Sequence, residues 1–195
     1  MAFFNVEKDK LPGLLADIQR FETGTAILGI PSGTVSEIVF LSKGKPGHDK
    51  VQEFLLNPFV EWLAPVQEVA LKSSTLQFRF DERQILDFKE KAIKAGVPKD
   101  QAHRLKSKDS EILATALVYK AVRLTTYDPL LIFIGCEYIT PETGLVIAPP
   151  DAALLAFSAT THTIMHPDAF CSEAFSKYHP YMLECGHFGQ TDEFQ

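Results

Sequence analysis

Cysteine is scarce in this chain. Its three residues, Cys136, Cys171 and Cys185, are an odd number without framework spacing. Such usage argues against a disulfide scaffold and fits a reducing compartment. Long apolar runs are also missing: residues 130–134 and 152–157 are short stretches, far below the ~20 residues that cross a bilayer. The first ten residues, MAFFNVEKDK, become charged too early for a secretory signal. These absences predict a cytoplasmic protein with no membrane partner. Positive charge is in deficit, with 19 Lys and Arg against 25 Asp and Glu, a net charge of −6. A protein that grips duplex nucleic acid by its backbone is more often basic. Any nucleic acid is therefore expected as a transient or locally bound substrate. The acidic balance also suits an acidic metal site, or an acidic surface covered by a basic partner. No G-x-G-x-x-G or Walker-type loop follows a candidate strand, which counts against a nucleotide-binding α/β domain. Internal repeats are absent.

What is present is a chain of 195 residues, 46% hydrophobic, enough for one domain and a tail. Leu11, Leu14, Leu15 and Ile18 share one helical face, with Gly24 as its stop. Residues 26–30 read as a short buried strand. Pro31-Ser32 opens a helix with Ser32 as N-cap and Val35, Ile38, Val39 and Leu41 as its apolar positions. Residues 43–47 are a loop, and a helix carrying Val51, Phe54 and Leu55 ends at Pro58. A strand over 60–65, helices over 67–78 and 82–95, and a strand near 145–148 follow. Strands alternating with helices predict parallel crossovers, hence an α/β fold, a three-layer α/β/α sandwich around a mainly parallel sheet. Residues 1–150 form this domain, and residues 151–195, rich in His, Phe and Ser, read as a C-terminal tail or extension.

The most informative segment is residues 106–135, KSKDSEILATALVYKAVRLTTYDPLLIFIG. It reads as a helix, a tight return and a buried strand over 122–127, with Asp109 at the helix start and Asp128 past the strand. A helix of 10–12 residues is about 16 Å long, and the strand returns about 20 Å. The lengths nearly cancel, which brings both acids to the carboxyl edge of the sheet, where open α/β sheets carry their sites. Each acid also has a plainer role: Asp109 as a favourable charge in a first helical turn, Asp128 as the turn residue of Asp-Pro. Glu37, about one turn into the helix after the first strand, reaches the same edge; an exposed helical Glu is its plain reading. Three carboxylates converging there suit Mg²⁺ or Mn²⁺, and metal-assisted phosphodiester hydrolysis is the chemistry they support. Glu111, in the same turn as Asp109, is expected to face solvent.

Three segments carry a resemblance: Ile30-Pro31-Ser32 with Val35-Ser36-Glu37-Ile38; Lys106-Ser107-Lys108-Asp109-Ser110-Glu111-Ile112-Leu113-Ala114-Thr115-Ala116; and Leu124-Thr125-Thr126-Tyr127-Asp128. They look like the second, third and fourth motif regions of PIN-domain ribonucleases, especially VapC-type toxin nucleases. The resemblance spans roughly residues 11–150. It implies Glu37, Asp109 and Asp128 as catalytic acids binding one or two divalent ions, Mg²⁺ or Mn²⁺. It also implies an RNA substrate, an antitoxin-like protein partner and a homodimer. The chain departs from the family pattern at its start. The family opens on an apolar strand ending in Asp, whereas this chain has Ala2-Phe3-Phe4-Asn5-Val6, and Glu7, Asp9 and Asp17 offer no substitute. The first strand is thus expected to be absent or degenerate. Either the chain is N-terminally incomplete or an essential ligand has been lost, and weak or absent cleavage is expected. The alternative is a catalytically inactive PIN-fold module that binds RNA or a protein.

Other candidates are weaker. His162, His166, Cys171, His179, Cys185 and His187 are zinc-type ligands in no recognisable spacing, and a surface or partner-binding tail is the default. Lys43, Lys45, Lys50, Lys72 and Arg79 would make a basic rim for RNA, although scattered charges are usually solvated faces. Trp62 and the phenylalanines are expected in the core rather than as stacking platforms.

Overall fold

The computed structural model describes residues 18–44, 48–81, 84, 87–149 and the backbone of 161–165. Five short strands make one sheet: β1 (Ala26–Pro31), β2 (Val60–Leu63), β3 (Arg123–Thr125), β4 (Val146–Ala148) and β5 (Thr161–Met165), in the order β2-β1-β5-β3-β4. Every pairing is parallel. The expected mixed α/β architecture with a parallel sheet is therefore present. β1 reads AILGIP and is buried at every position but the half-buried Ile27. A near-continuous apolar run is what a parallel strand covered on both faces requires.

The middle strand comes from the far end of the sequence. β5 lies between β1 and β3, with Leu28 opposite Thr163 and Leu124 opposite Ile164. Thr161–Met165 falls inside the stretch read as a tail or extension, and this described part of it is built into the sheet. Asn5, Glu7, Asp9, Asp17, Lys45, His166, Cys171, His179, Cys185 and His187 lie outside the described residues, and of His162 only the backbone is described.

The helices are α1 (residues 18–22), α2 (Ser32–Ser42), α3 (His48–Leu55), α4 (Gln67–Arg79), α5 (Phe88–Lys94), α6 (Ser107–Val118), α7 (Pro129–Ile134) and α8 (Thr140–Thr143). A π-helical turn, Gly135–Ile139, joins α7 to α8. Gly24 follows α1 in the left-handed region, as its role as a stop requires. Ser32 does not cap α2. Pro31 holds the cap position, and Ser32 Oγ instead donates to Leu63 O at 2.8 Å, tying the start of α2 to the end of β2. Within α3, Val51, Phe54 and Leu55 are buried, as their spacing predicts.

Two strands are shorter than expected. The predicted strand over 60–65 stops at Leu63, two residues before Pro65, which has no N–H to offer a ladder. The predicted strand over 122–127 is Arg123–Thr125. α6 at 12 residues is about 18 Å long, whereas three strand residues cover about 10 Å. The lengths of helix and strand therefore do not cancel by themselves. Flanking backbone completes the return: Val146 N donates to Val122 O and Thr126 N to Ala148 O, prolonging the contact with β4 at both ends.

An apolar cluster joins α4, α5, α6 and α7 to β3 and β4. Phe80, Phe88, Phe133 and Tyr138 pack edge-to-face or tilted with centroids 5.4–6.2 Å apart. A buried polar contact sits between α4 and α6. Ser110 Oγ donates to Ser107 O at 2.7 Å, which leaves its lone pairs for Ser73 Oγ at 2.9 Å and Gln77 Nε2 at 2.8 Å. Gly135 abuts β4 so closely that a Cβ there would lie 2.5 Å from Ile147 Cβ. Among the described residues, no helix is long and apolar enough to cross a membrane.

Candidate active site

Asp109 is in the first turn of α6. It is half-buried, while Leu113 and Ala116 on the same helical face are fully buried, so the carboxylate stands at the rim of the packed side. Asp128 is the N-cap of α7: its Oδ1 accepts from Leu130 N at 2.8 Å and Leu131 N at 3.2 Å, with Pro129 at the first helical position. Thr126 Oγ1 accepts from Asp128 N at 3.0 Å, fixing the backbone that delivers the carboxylate. The two acids line one cavity of about 430 Å³ together with Gln101, His103, Lys106 and Tyr127. That volume is in the range of small-molecule sites, ~300–1,000 Å³.

Glu37 stands beside this cavity rather than in its wall. Its Oε2 is 2.8 Å from Lys108 Nζ, with side-chain exposures of 31% and 69%. It borders a smaller cavity of about 60 Å³ with Pro31, Gly33, Thr34, Lys108, Glu111 and Ile112. Lys108 precedes Asp109 on α6, so Glu37 is drawn to the same helix end but towards a cation. Glu111 is exposed, as expected, and lines that smaller cavity. Among the described residues, no three His, Cys, Asp or Glu side chains form a group able to hold a metal ion. The described residues thus offer a carboxylate pair and a neighbouring, ion-paired third acid.

Two residues of the large cavity have no counterpart in the sequence expectations. His103 Nδ1 lies 2.8 Å from Arg104 O. A carbonyl only accepts, so Nδ1 is the donor in this contact and Nε2 is the nitrogen left for other partners. Lys106 lines the same cavity. Arg104-Leu105-Lys106 alternates, with Leu105 buried and both cations exposed; that alternation just ahead of Asp109 is the signal that marks Lys106. Of the residues expected to form a basic rim, Arg79 is engaged in an ion pair. Arg79 forms a two-pronged pair with Glu142, at 2.7 Å through Nη1, which holds its guanidinium above and the carboxyl below their usual ranges. Trp62 is half exposed, with Nε1 donating to Leu55 O, rather than in the core. Phe40 and Phe78 are exposed as well, while Phe21, Phe54, Phe80, Phe88 and Phe133 are buried. No family model, curated protein or solved structure matches this chain.

Proposed function

We propose that this chain is a PIN-like, metal-dependent endoribonuclease whose parallel sheet is the centre of a three-layer α/β/α sandwich. The observation that carries the proposal is the shared cavity of Asp109 and Asp128, walled by His103 and Lys106. Mg²⁺ commonly uses one or two carboxylates, completing its shell with water and substrate phosphate oxygens, so the residues present fit Mg²⁺ or Mn²⁺. When bound, such an ion supplies charge neutralisation at the phosphoryl oxygens and acidifies water. The chain's own residues do the rest. Asp109 and Asp128 would hold the ion, Lys106 would orient a phosphate by its charge, and His103 Nε2 would accept a proton from water. Glu37 joins the acids only if it leaves Lys108; an exposed pair of this kind is worth about 0–1 kcal/mol, a small barrier to exchange.

The Glu37–Lys108 pair also favours the second reading, a PIN-fold module that binds RNA without cutting it. Incubating the 195-residue chain with labelled RNA and Mg²⁺ or Mn²⁺ separates the two. The nuclease reading expects slow cleavage that chelation stops, that falls at least about 100-fold in Asp109→Asn, and that falls about 10²–10⁴-fold in His103→Gln. RNA that stays intact under every metal condition would leave the binding module.

A further inference from the structure

A second cavity, about 480 Å³, opens beside the first and shares Lys106 with it. Its wall includes Phe78, Arg104, Ser107 and Asp81. Phe78 ends the outer face of α4: residues 69, 73 and 76 of that helix are buried, and Phe78 is 68% exposed. An exposed aromatic ring beside two exposed cations offers a stacking face and positive charge together. Arg104 and Lys106 are both exposed, and among the described residues neither takes part in an ion pair. Their charge stands out on a chain whose net charge is −6.

From this juxtaposition we propose that the cavity of Phe78, Arg104 and Lys106 is a binding subsite for a single-stranded polynucleotide. One base stacks on Phe78, and the adjoining phosphates lie on Arg104 and Lys106. The strand then passes over Lys106 towards Asp109 and Asp128. An aromatic platform beside cations is the combination that holds single strands without reading their sequence. A duplex has its bases already stacked and offers none to Phe78. The direction of the strand towards the acids rests on the nuclease reading; the subsite itself does not.

The test is fluorescence anisotropy of the full chain with labelled U₁₂ and dT₁₂ in a chelator, where no metal-dependent cleavage occurs. The two oligonucleotides show whether the sugar matters to a site built from ring and charge. Phe78→Ala is expected to weaken binding about five- to 100-fold, the range of one lost stacking contact, and Phe78→Trp to restore it. The double variant Arg104→Ala/Lys106→Ala is expected to lower the salt slope of log K by roughly 0.7 for each cation removed. All three side chains are exposed, and circular dichroism of each variant checks the fold. No binding of either oligonucleotide at low salt overturns the subsite, as does binding that both variants leave unchanged. Equal competition by poly-glutamate would likewise overturn it, because the face would then be an acidic-peptide surface. Binding that depends on Phe78 in a chain that never cleaves RNA sinks the nuclease reading alone. Metal-dependent cleavage whose KM ignores Phe78 and Arg104 sinks the subsite alone.

Discussion

Asp128 holds two roles at once. As the cap of α7 it satisfies backbone N–H groups of Leu130 and Leu131 that the helix cannot. As a carboxylate it faces the cavity of Asp109. The sequence suggested both roles, since Asp-Pro marks a chain turn and the acid falls at the sheet edge, but it could not show that one oxygen serves the cap. Substitution separates them. Asn caps about as well as Asp, whereas Ala loses about 1 kcal/mol. Asp128→Asn is therefore expected to unfold in urea within a few tenths of a kcal/mol of the parent while losing metal-dependent cleavage. Asp128→Ala is expected to lose both. Equal destabilisation by the two would mean that the charge at the helix start, rather than the hydrogen bond, is what α7 needs. Phe78 and His103 were less legible. A phenylalanine in an amphipathic helix is expected to be buried, and only the packing of α4 shows that position 78 falls on its outer face.

Among the elements, α6 was the most legible. Its expected start, its buried face and the rim position of Asp109 agree with the structure, because a run of small and apolar residues at helical spacing fixes all three. The strands were harder to bound. Parallel strands buried on both faces have no alternation to mark their ends, so the apolar reach of residues 122–127 overstated β3. What seats the start of α6 was not visible at all. Ser73, Gln77 and Ser110 are ordinary surface residue types, yet Ser110 is fully buried and its hydroxyl is satisfied on every side. Ser110→Ala removes the acceptor of two neighbours and is expected to cost about 1–3 kcal/mol, the penalty for stranding buried polar groups. Ser73→Ala leaves Ser110 its bonds to Ser107 and Gln77 and is expected to cost about 1 kcal/mol or less. Equilibrium urea denaturation of both variants checks the order, and a costlier Ser73→Ala would mean that the α4–α6 contact does not depend on Ser110.

For the whole molecule, sheet order is the property least visible in the sequence. Alternating strands and helices announced parallel pairing, but neighbours in a sheet need not be neighbours in the chain. Thr161–Met165 has little hydrophobic signal of its own, with Thr161, His162 and Thr163 as three of its five residues. Its place between β1 and β3 is set by the two edges those strands present. Without β5 the sheet is two separate pairs, β2-β1 and β3-β4, each with a row of unpaired backbone N–H and C=O groups left open. A chain ending at residue 150 is therefore expected to lose cooperative unfolding, with thermal melting replaced by a gradual change in far-ultraviolet circular dichroism. A gentler variant of the full chain tests the same point. Thr163 pairs with Leu28 on one side and Arg123 on the other, and proline in a central strand removes a ladder donor. Thr163→Pro is expected to remove most of a stability that for such domains totals about 5–15 kcal/mol. Fluorescence of Trp62, the single tryptophan, follows the transition from β2, at one edge of the sheet. If residues 1–150 melt cooperatively at the parent temperature, β1 and β3 do not need β5, and the domain is complete before residue 151.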